Sequence, residues 1–283
     1  MKKNITEIIA CLDCGAEYIF REGYLECVKC GKTICLIDGI PVFTPIPSDL
    51  QPTEKIIRGP DLGTPWRVAS WRFLEETLSQ IPSDAWILDI GAGRGDFADL
   101  LANHYFVALD IYPYPEVDIV CDLIKQNPFR TSSFDVVLLM NVLEHIKEPN
   151  VFFHQIAGVL KPGGLLVVAI PFFVKLHQIP FDFFRFSQFA LNNIGRANGL
   201  EMQRLDGFYD VVSLLEEGLS NLRNTVLPEI KGWRHFIVLF LHAVLKVVSK
   251  LLRIVLGPGE IRPVTKTMNP APTGYLIHYR KPR

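Results

Sequence analysis

The stretch Ile87-Leu88-Asp89-Ile90-Gly91-Ala92-Gly93-Arg94-Gly95 constrains this chain more than any other, because an apolar strand pattern runs straight into three alternating glycines. The helical spacing Phe97, Leu100, Leu101 follows, so the glycines mark a strand-to-helix turn where backbone approaches a ligand with no Cβ in the way. Apolar strand patterns recur at 106–110, 134–140 and 165–170, with helical spacing at 151–160. Strands alternating with helices predict a largely parallel sheet covered on both faces. A helix at 66–80, carried by Trp66, Val68, Trp71, Phe73, Leu74 and Leu78 and ended by Pro82, leads into this unit. Beyond it the pattern predicts a helix at 187–197, a strand at 201–207, a helical stretch from Tyr209 and a final strand at 275–279.

The acids around the glycine turn narrow the ligand. Asp96 stands where a pyrophosphate-binding turn carries its last glycine, a poor neighbour for phosphate and no obstacle to a cationic sulfonium. Asp89 ends the first strand and suits an amino group. Asp110 ends the second strand nineteen positions after Gly91, where a carboxylate can accept ribose hydroxyls. Asp122 offers an acceptor to an adenine amino group, and Ala92, Ile111, Leu123 and Asn141 complete the expected pocket. The bland alternative, glycines that only make a turn and acids that only cap helices, does not predict all four features in this order.

Cys11-Leu-Asp-Cys14 and Cys27-Val-Lys-Cys30 are paired C-x-x-C knuckles, each followed by a glycine, with a hairpin-length segment between them. Four thiolates so spaced can converge on one tetrahedral Zn²⁺ and leave no open position for catalysis, which makes the site structural. Cys35 and Cys121 have no partner motif and are expected as buried filler. The Pro- and Gly-rich stretch that follows divides the chain into a zinc-ribbon module at 1–45, a linker at 46–65 and a main domain at 66–283.

Residues 66–208 resemble a class I S-adenosylmethionine-dependent methyltransferase, of the type 11-like kind. Asp89-x-Gly91-x-Gly93-x-Gly95 is similar to the family's first motif, Asp110 to its ribose-binding acid and Asp122 to its adenine-side acid. Phe134-Asp135-Val136-Val137 with Asn141-Val142-Leu143-Glu144-His145 resembles its fourth-strand motif, and Leu160-Lys161-Pro162-Gly163-Gly164 its turn into the fifth strand. The resemblance implies an α/β, Rossmann-like seven-stranded sheet whose last strand, 275–279, runs antiparallel. A helical insertion at about 209–272 precedes that strand. The ribbon is similar to small zinc domains fused ahead of several bacterial methyltransferases.

Methyl transfer from a sulfonium needs positioning first, and a base only if the acceptor stays protonated. His145 is the candidate base. The segment Pro171 to Ser187 falls where a substrate lid belongs; its Asp-aromatic-aromatic-Arg-Phe-Ser stretch resembles one in methyltransferases encoded with polysaccharide and glycolipid pathways. His177, Asp182 and Arg185 are therefore candidate contacts for a sugar or acidic headgroup, although aromatics there also suit a core and Ser187 an N-cap.

Phe236 to Leu256 is long and apolar, but His242, Lys246, Lys250 and Arg253 form one basic stripe along it, which makes bilayer crossing costly. Packing on the main domain or peripheral contact with an anionic membrane both fit the pattern. No apolar run suited to a signal peptide opens the chain, so the cytoplasm is the expected compartment, with the inner membrane surface as a peripheral option. Lys and Arg total 29 against 30 Asp and Glu, so no sequence-wide charge draws the protein to nucleic acid. The leading expectation is O-methylation of a small molecule, sugar or lipid-linked saccharide. Ribosomal RNA base methylation and a non-catalytic binding module on the same fold are the alternatives.

Overall fold

A computed structural model describes residues 5–49, 52, 57–265 and 272–283; parts of the expected linker 46–65 and of the insertion 209–272 lie outside the described residues. The chain opens with a four-stranded antiparallel sheet: β1 (Tyr18–Arg21), β2 (Tyr24–Cys27), β3 (Thr33–Ile37) and β4 (Ile40–Pro41). The β1–β2 hairpin turns at Gly23, whose φ of 84° is one that glycine adopts at little cost. Cys35, expected to be buried, is exposed on β3: inward and outward positions alternate along a strand, and its neighbour Ile34 takes the inward one.

Helix α1 (Pro65–Leu78) begins where Thr64 accepts a hydrogen bond from the Arg67 backbone N–H at 3.2 Å and Pro65 fills the first helical position. There follow β5 (Trp86–Ile90), the single turn α2 (Ala98–Leu101), β6 (Tyr105–Asp110), β7 (Ile119–Val120), β8 (Phe134–Met140), α3 (Pro149–Val159) and β9 (Leu160–Pro171). Next come α4 (Gln188–Ala197), capped by Ser187 as its position suggested, β10 (Glu201–Tyr209), α5 (Val211–Asn221), α6 (Trp233–Leu256), β11 (Glu260–Pro263) and β12 (Gly274–Arg280).

These strands form one sheet in the order β11-β10-β12-β9-β8-β5-β6-β7. Strands β5 to β9 pair in parallel, whereas β12 runs antiparallel to both β9 and β10. The expected seven strands are all present. The eighth, β11, pairs antiparallel with β10 at the edge; its Glu-Ile-Arg-Pro sequence has too little apolar alternation to announce a strand.

Alternation along the central strands builds two cores. On β8, Val136, Leu138 and Met140 face α1 with Trp71, Phe73 and Leu74, while Val137 and Leu139 face α3 and α4 with Phe152, Ile156 and Leu191. The second core continues without a break into Ile8, Ile9, Tyr18, Leu25 and Phe43. Val42 bridges Val120 in parallel fashion, the Phe43 N–H donates to the Val120 carbonyl at 2.8 Å, and Ile9 bridges Phe129. The ribbon thus covers the sheet edge at β7, which would otherwise present unpaired backbone groups.

Helix α6 packs in the opposite sense from a helix docked by its apolar face. Its buried residues are His242 and Ser249, and Arg253 reaches Asp210 at 2.8 Å and Glu216 at 3.2 Å, so the polar stripe turns toward α5. Phe236, Phe240, Val247, Leu251 and Ile254 are left exposed. Among the described residues no helix is long and apolar enough to cross a membrane. The Arg253→Met variant strands the buried Asp210 carboxylate without its cation, and chemical denaturation should show a loss of about 1–3 kcal/mol. Unchanged stability would mean that this pair does not hold α6 in place.

Candidate functional site

The carboxyl ends of β5, β6 and β8 converge on a cavity of about 320 Å³, within the size range of small-molecule and cofactor sites. Gly91, Gly93, Asp110, Ile111, Asp122, Leu123, Asn141 and His145 all line it, so residues spread over more than fifty positions meet in one place. Asp89 and Ala92 are buried beside the cavity and do not line it.

Gly91 has φ 71°, and a Cβ there would lie 2.5 Å from a methyl of Val142. Two strand ends therefore meet at a distance only glycine permits. Gly93 has φ 52°, a Cβ there would meet nothing nearer than the Gly91 carbonyl at 4.0 Å, and its N–H donates to Asp110 Oδ2 at 2.9 Å. The Tyr112 N–H donates to Oδ1 at 3.0 Å. Burial raises the Asp110 pKa, with the backbone donors working the other way. Asp89 is pushed up to about 7 by burial first, then by the neighbouring charges of Asp110 and Asp96. Buried carboxylates whose charged form is disfavoured are what a positively charged ligand relieves.

Asn141 holds a left-handed φ of 61°, and its Oδ1 accepts from Trp66 Nε1 at 2.6 Å. Asp122 accepts from the Ile124 N–H at 3.0 Å, and its own N–H donates to Thr44 Oγ1 at 2.8 Å. The tail of the ribbon thereby fixes one cavity wall.

At the rim, His145 Nδ1 and the Phe181 carbonyl are 2.7 Å apart. A carbonyl only accepts, so Nδ1 carries a proton, and in the neutral ring Nε2 is the nitrogen with the lone pair. Glu144 is fully buried, and its carbonyl accepts from the Phe183 and Phe184 N–H groups, which seats the segment after β9 against the loop after β8. Asp182 and Arg185 spend their charges on each other, with contacts of 2.6 and 2.8 Å, and Asp182 is nearly buried. The pairing holds Asp182 well down, to about 2, through the Arg185 guanidinium. His177 Nε2 lies 3.8 Å from Glu144 Oε1, an ion-pair distance too long for a hydrogen bond, and the Arg185 guanidinium also feels the Glu144 charge. The adjacent Glu144 carboxylate raises the His177 pKa.

Sequence reasoning missed Tyr114, Val142, Gln178 and Phe181 as cavity walls and Trp66 as the partner of Asn141. Gln178 and Phe181 lie inside the flagged 171–187 segment; Trp66 read only as an apolar helix position. Cys121, expected as filler, is buried and also forms part of the wall.

The four ribbon sulfurs lie within 4.8 Å of one another, with Cys11 to Cys30 at 3.5 Å and Cys14 to Cys27 at 3.4 Å. Zinc–sulfur bonds of about 2.3 Å set tetrahedral sulfurs roughly 3.8 Å apart, so the set is compatible with zinc. Within the set the thiols pull apart: backbone N–H groups bring Cys11 and Cys27 down, whereas the neighbouring thiols push Cys14 and Cys30 up, as expected of sulfurs this close together.

Residues 88–168 match the family model described as "Methyltransferase domain". A Mycolicibacterium smegmatis protein named "Probable S-adenosylmethionine-dependent methyltransferase" is 32% identical over 96 residues, 30% of this chain and 37% of that protein. The ubiquinone biosynthesis O-methyltransferase of Xylella fastidiosa is 25% identical over 174 residues, 54% of this chain and 60% of that protein. The tRNA (carboxymethyluridine(34)-5-O)-methyltransferase of Arabidopsis thaliana is 27% identical over 115 residues, 37% of this chain and 28% of that protein. The chain spans less than two thirds of the length of these relatives. A solved S-adenosylmethionine-dependent methyltransferase from Archaeoglobus fulgidus superimposes with TM-score 0.46 at 17% identity, covering 76% of this chain and 94% of that one. Residues 88–168 are thus similar to a methyltransferase domain, and the sheet around them has the α/β, Rossmann-like arrangement.

Replacing either glycine by alanine separates close packing from backbone strain. Gly91→Ala combines a positive φ with the Val142 clash and should cost about 2–4 kcal/mol, whereas Gly93→Ala, with strain alone, should cost about 1 kcal/mol. Urea denaturation measures both, and equal losses would refute the close approach.

Proposed function

We propose that the protein binds S-adenosylmethionine in this cavity and transfers its methyl group to an oxygen of a small-molecule, sugar or lipid-linked saccharide acceptor. The observation that carries the reading is the convergence of Gly91, Gly93, Asp110, Asp122 and Asn141 on one cavity beside the buried Asp89. Asp110 is read as the acceptor for ribose hydroxyls, Asp122 as the acceptor for the adenine amino group and Asp89 as the carboxylate that answers the ammonium of the methionine portion. The relative named as a ubiquinone biosynthesis O-methyltransferase favours oxygen and a small molecule.

In the transfer, a lone pair of the acceptor oxygen forms the new bond to the methyl carbon. The carbon–sulfur bond breaks, its electrons stay on sulfur, and S-adenosylhomocysteine leaves. The acceptor's proton must go elsewhere, and His145, which lines the cavity, is read as the group that takes it once its buried Nε2 turns toward the acceptor oxygen. Asp182 and Arg185, paired with each other, are read as holding the segment over the cavity mouth rather than gripping the acceptor. The ribbon is read as a structural zinc site held by Cys11, Cys14, Cys27 and Cys30.

A cation beside Asp89 lowers the pKa that burial raises to about 7. Below that value cofactor binding must expel a proton, so affinity should rise with pH, by up to about tenfold per unit, and flatten above about pH 7.5. Calorimetry with S-adenosylmethionine at several pH values tests this: Asp89→Asn should remove the slope and Asp110→Ala should weaken binding at every pH. Absence of binding by the intact protein would instead favour a non-catalytic scaffold.

Membrane contact through α6 is part of the same proposal, supported by its exposed apolar face. Arg253 is paired with Asp210 and Glu216, whereas Lys246 and Lys250 are exposed and can still face anionic lipid. Liposomes of neutral and of anionic composition should both carry the protein down on sedimentation, and Phe236→Ser with Phe240→Ser should release it. Failure to sediment with either would remove the membrane contact.

A further inference from the structure

Two loops bring an unusual set of groups to the cavity wall. Glu144 has no solvent exposure, and neither of its carboxylate oxygens has a hydrogen-bond partner among the described residues. His145 Nε2 is likewise buried and unpartnered. A buried polar atom is ordinarily satisfied, and the groups that face the Glu144 carboxylate without closing a hydrogen bond are the two imidazoles and, at longer range, the Arg185 guanidinium. His145 Nε2 and His177 Nε2 each stand 3.8 Å from Glu144 Oε1, and one ligand atom from each of the three residues fits within 4.8 Å. Such distances are too long for hydrogen bonds but near the separations of ligands sharing an ion at about 2.0–2.2 Å, so a small inward shift would close them.

The outer partners have the same logic. His145 Nδ1 is tied to the Phe181 carbonyl at 2.7 Å; His177 Nδ1 lies 3.2 Å from both the Lys175 carbonyl and Asp182 Oδ2, and Arg185 clamps Asp182. Each imidazole thus has its Nδ1 occupied by an oxygen, leaving Nε2 to turn toward Glu144. A carbonyl or carboxylate behind a histidine is the arrangement that orients a metal-ligating ring and raises its basicity. Here Glu144 and the Asp182–Arg185 pair acquire reasons that neither packing nor acceptor binding provides.

We infer that Glu144, His145 and His177 form a binding site for a divalent first-row transition-metal ion, separate from the four-cysteine site. Two imidazoles and a carboxylate suit zinc, cobalt, manganese or iron(II), and three protein ligands leave coordination positions open. His145 belongs to the cavity wall, so the ion sits beside the cofactor space. Its role, which alone rests on the proposed methyl transfer, is to bind the acceptor's hydroxyl oxygen at an open position so that the proton is lost to solvent before the carbon–oxygen bond forms. His145 then acts through the ion rather than as a free base.

The test uses the full chain with its cysteine site loaded with zinc, titrated with Co²⁺ alone and followed by calorimetry and absorption. One further equivalent should bind without a thiolate-to-cobalt charge-transfer band. His177→Gln and Glu144→Gln should each weaken it at least tenfold, and Asp182→Asn about tenfold. His177 is part-exposed, so its variant should keep the wild-type circular dichroism and melting curve even if Glu144→Gln misfolds. No uptake beyond the cysteine site, or uptake unchanged by His177→Gln, would overturn the inference and leave His177 as a partner of Glu144 alone. Calorimetry with S-adenosylmethionine on the same samples separates the two readings. Cofactor binding without Co²⁺ uptake removes the ion and keeps the transferase; Co²⁺ uptake without cofactor binding does the reverse.

Discussion

The close approach of Gly91 to Val142 is the constraint on which the cavity depends. Strands β5 and β8 are neighbours in the sheet, and the chain leaving each must turn away at the same level. A Cβ at position 91 would fall 2.5 Å from the valine methyl, so the two ends could not both keep their courses. With hydrogen in that place, Asn141 turns through a left-handed conformation anchored by Trp66, and His145 is carried to the cavity wall. Asp110, from the strand on the other side, accepts the Gly93 N–H and fixes the turn from below. Floor, wall and rim are consequences of one missing side chain.

The ribbon contributes to the same site from outside the Rossmann-like sheet. Its hydrophobic residues are continuous with the core that α3 and α4 cover, and Phe43 and Thr44 bond to Val120 and Asp122. A metal held by the cysteine loops, as proposed, would therefore also steady the strand edge beside Asp122.

Much of this was legible in the residues, because the signals were local. Period-two apolar runs located β5, β6, β8 and β9, the three glycines located the turn, and the spacing of the cysteines located their cluster. Long-range partners left no local trace. Trp66 reads as one more apolar helix residue, yet it anchors Asn141 across 75 positions. The orientation of α6 was hidden for a related reason: a helix with two unlike faces does not say which one its neighbour takes, and Asp210, which draws Arg253 inward, is more than forty positions away. Edge strand β11 depends on pairing with β10 rather than on its own pattern. Asp182 and Arg185 advertised charge to the sequence, and only the structure shows that charge spent internally.

The central claim is that the cavity at the carboxyl edge of the sheet holds a sulfur-containing nucleoside against Asp110 and Asp122. Crystals grown with S-adenosylhomocysteine measure it directly. The account predicts density in that cavity, with ribose hydroxyls within hydrogen-bond distance of Asp110 and the adenine edge toward Asp122. Ordered ligand elsewhere on the protein, with this cavity filled only by water or by its own side chains, would contradict it.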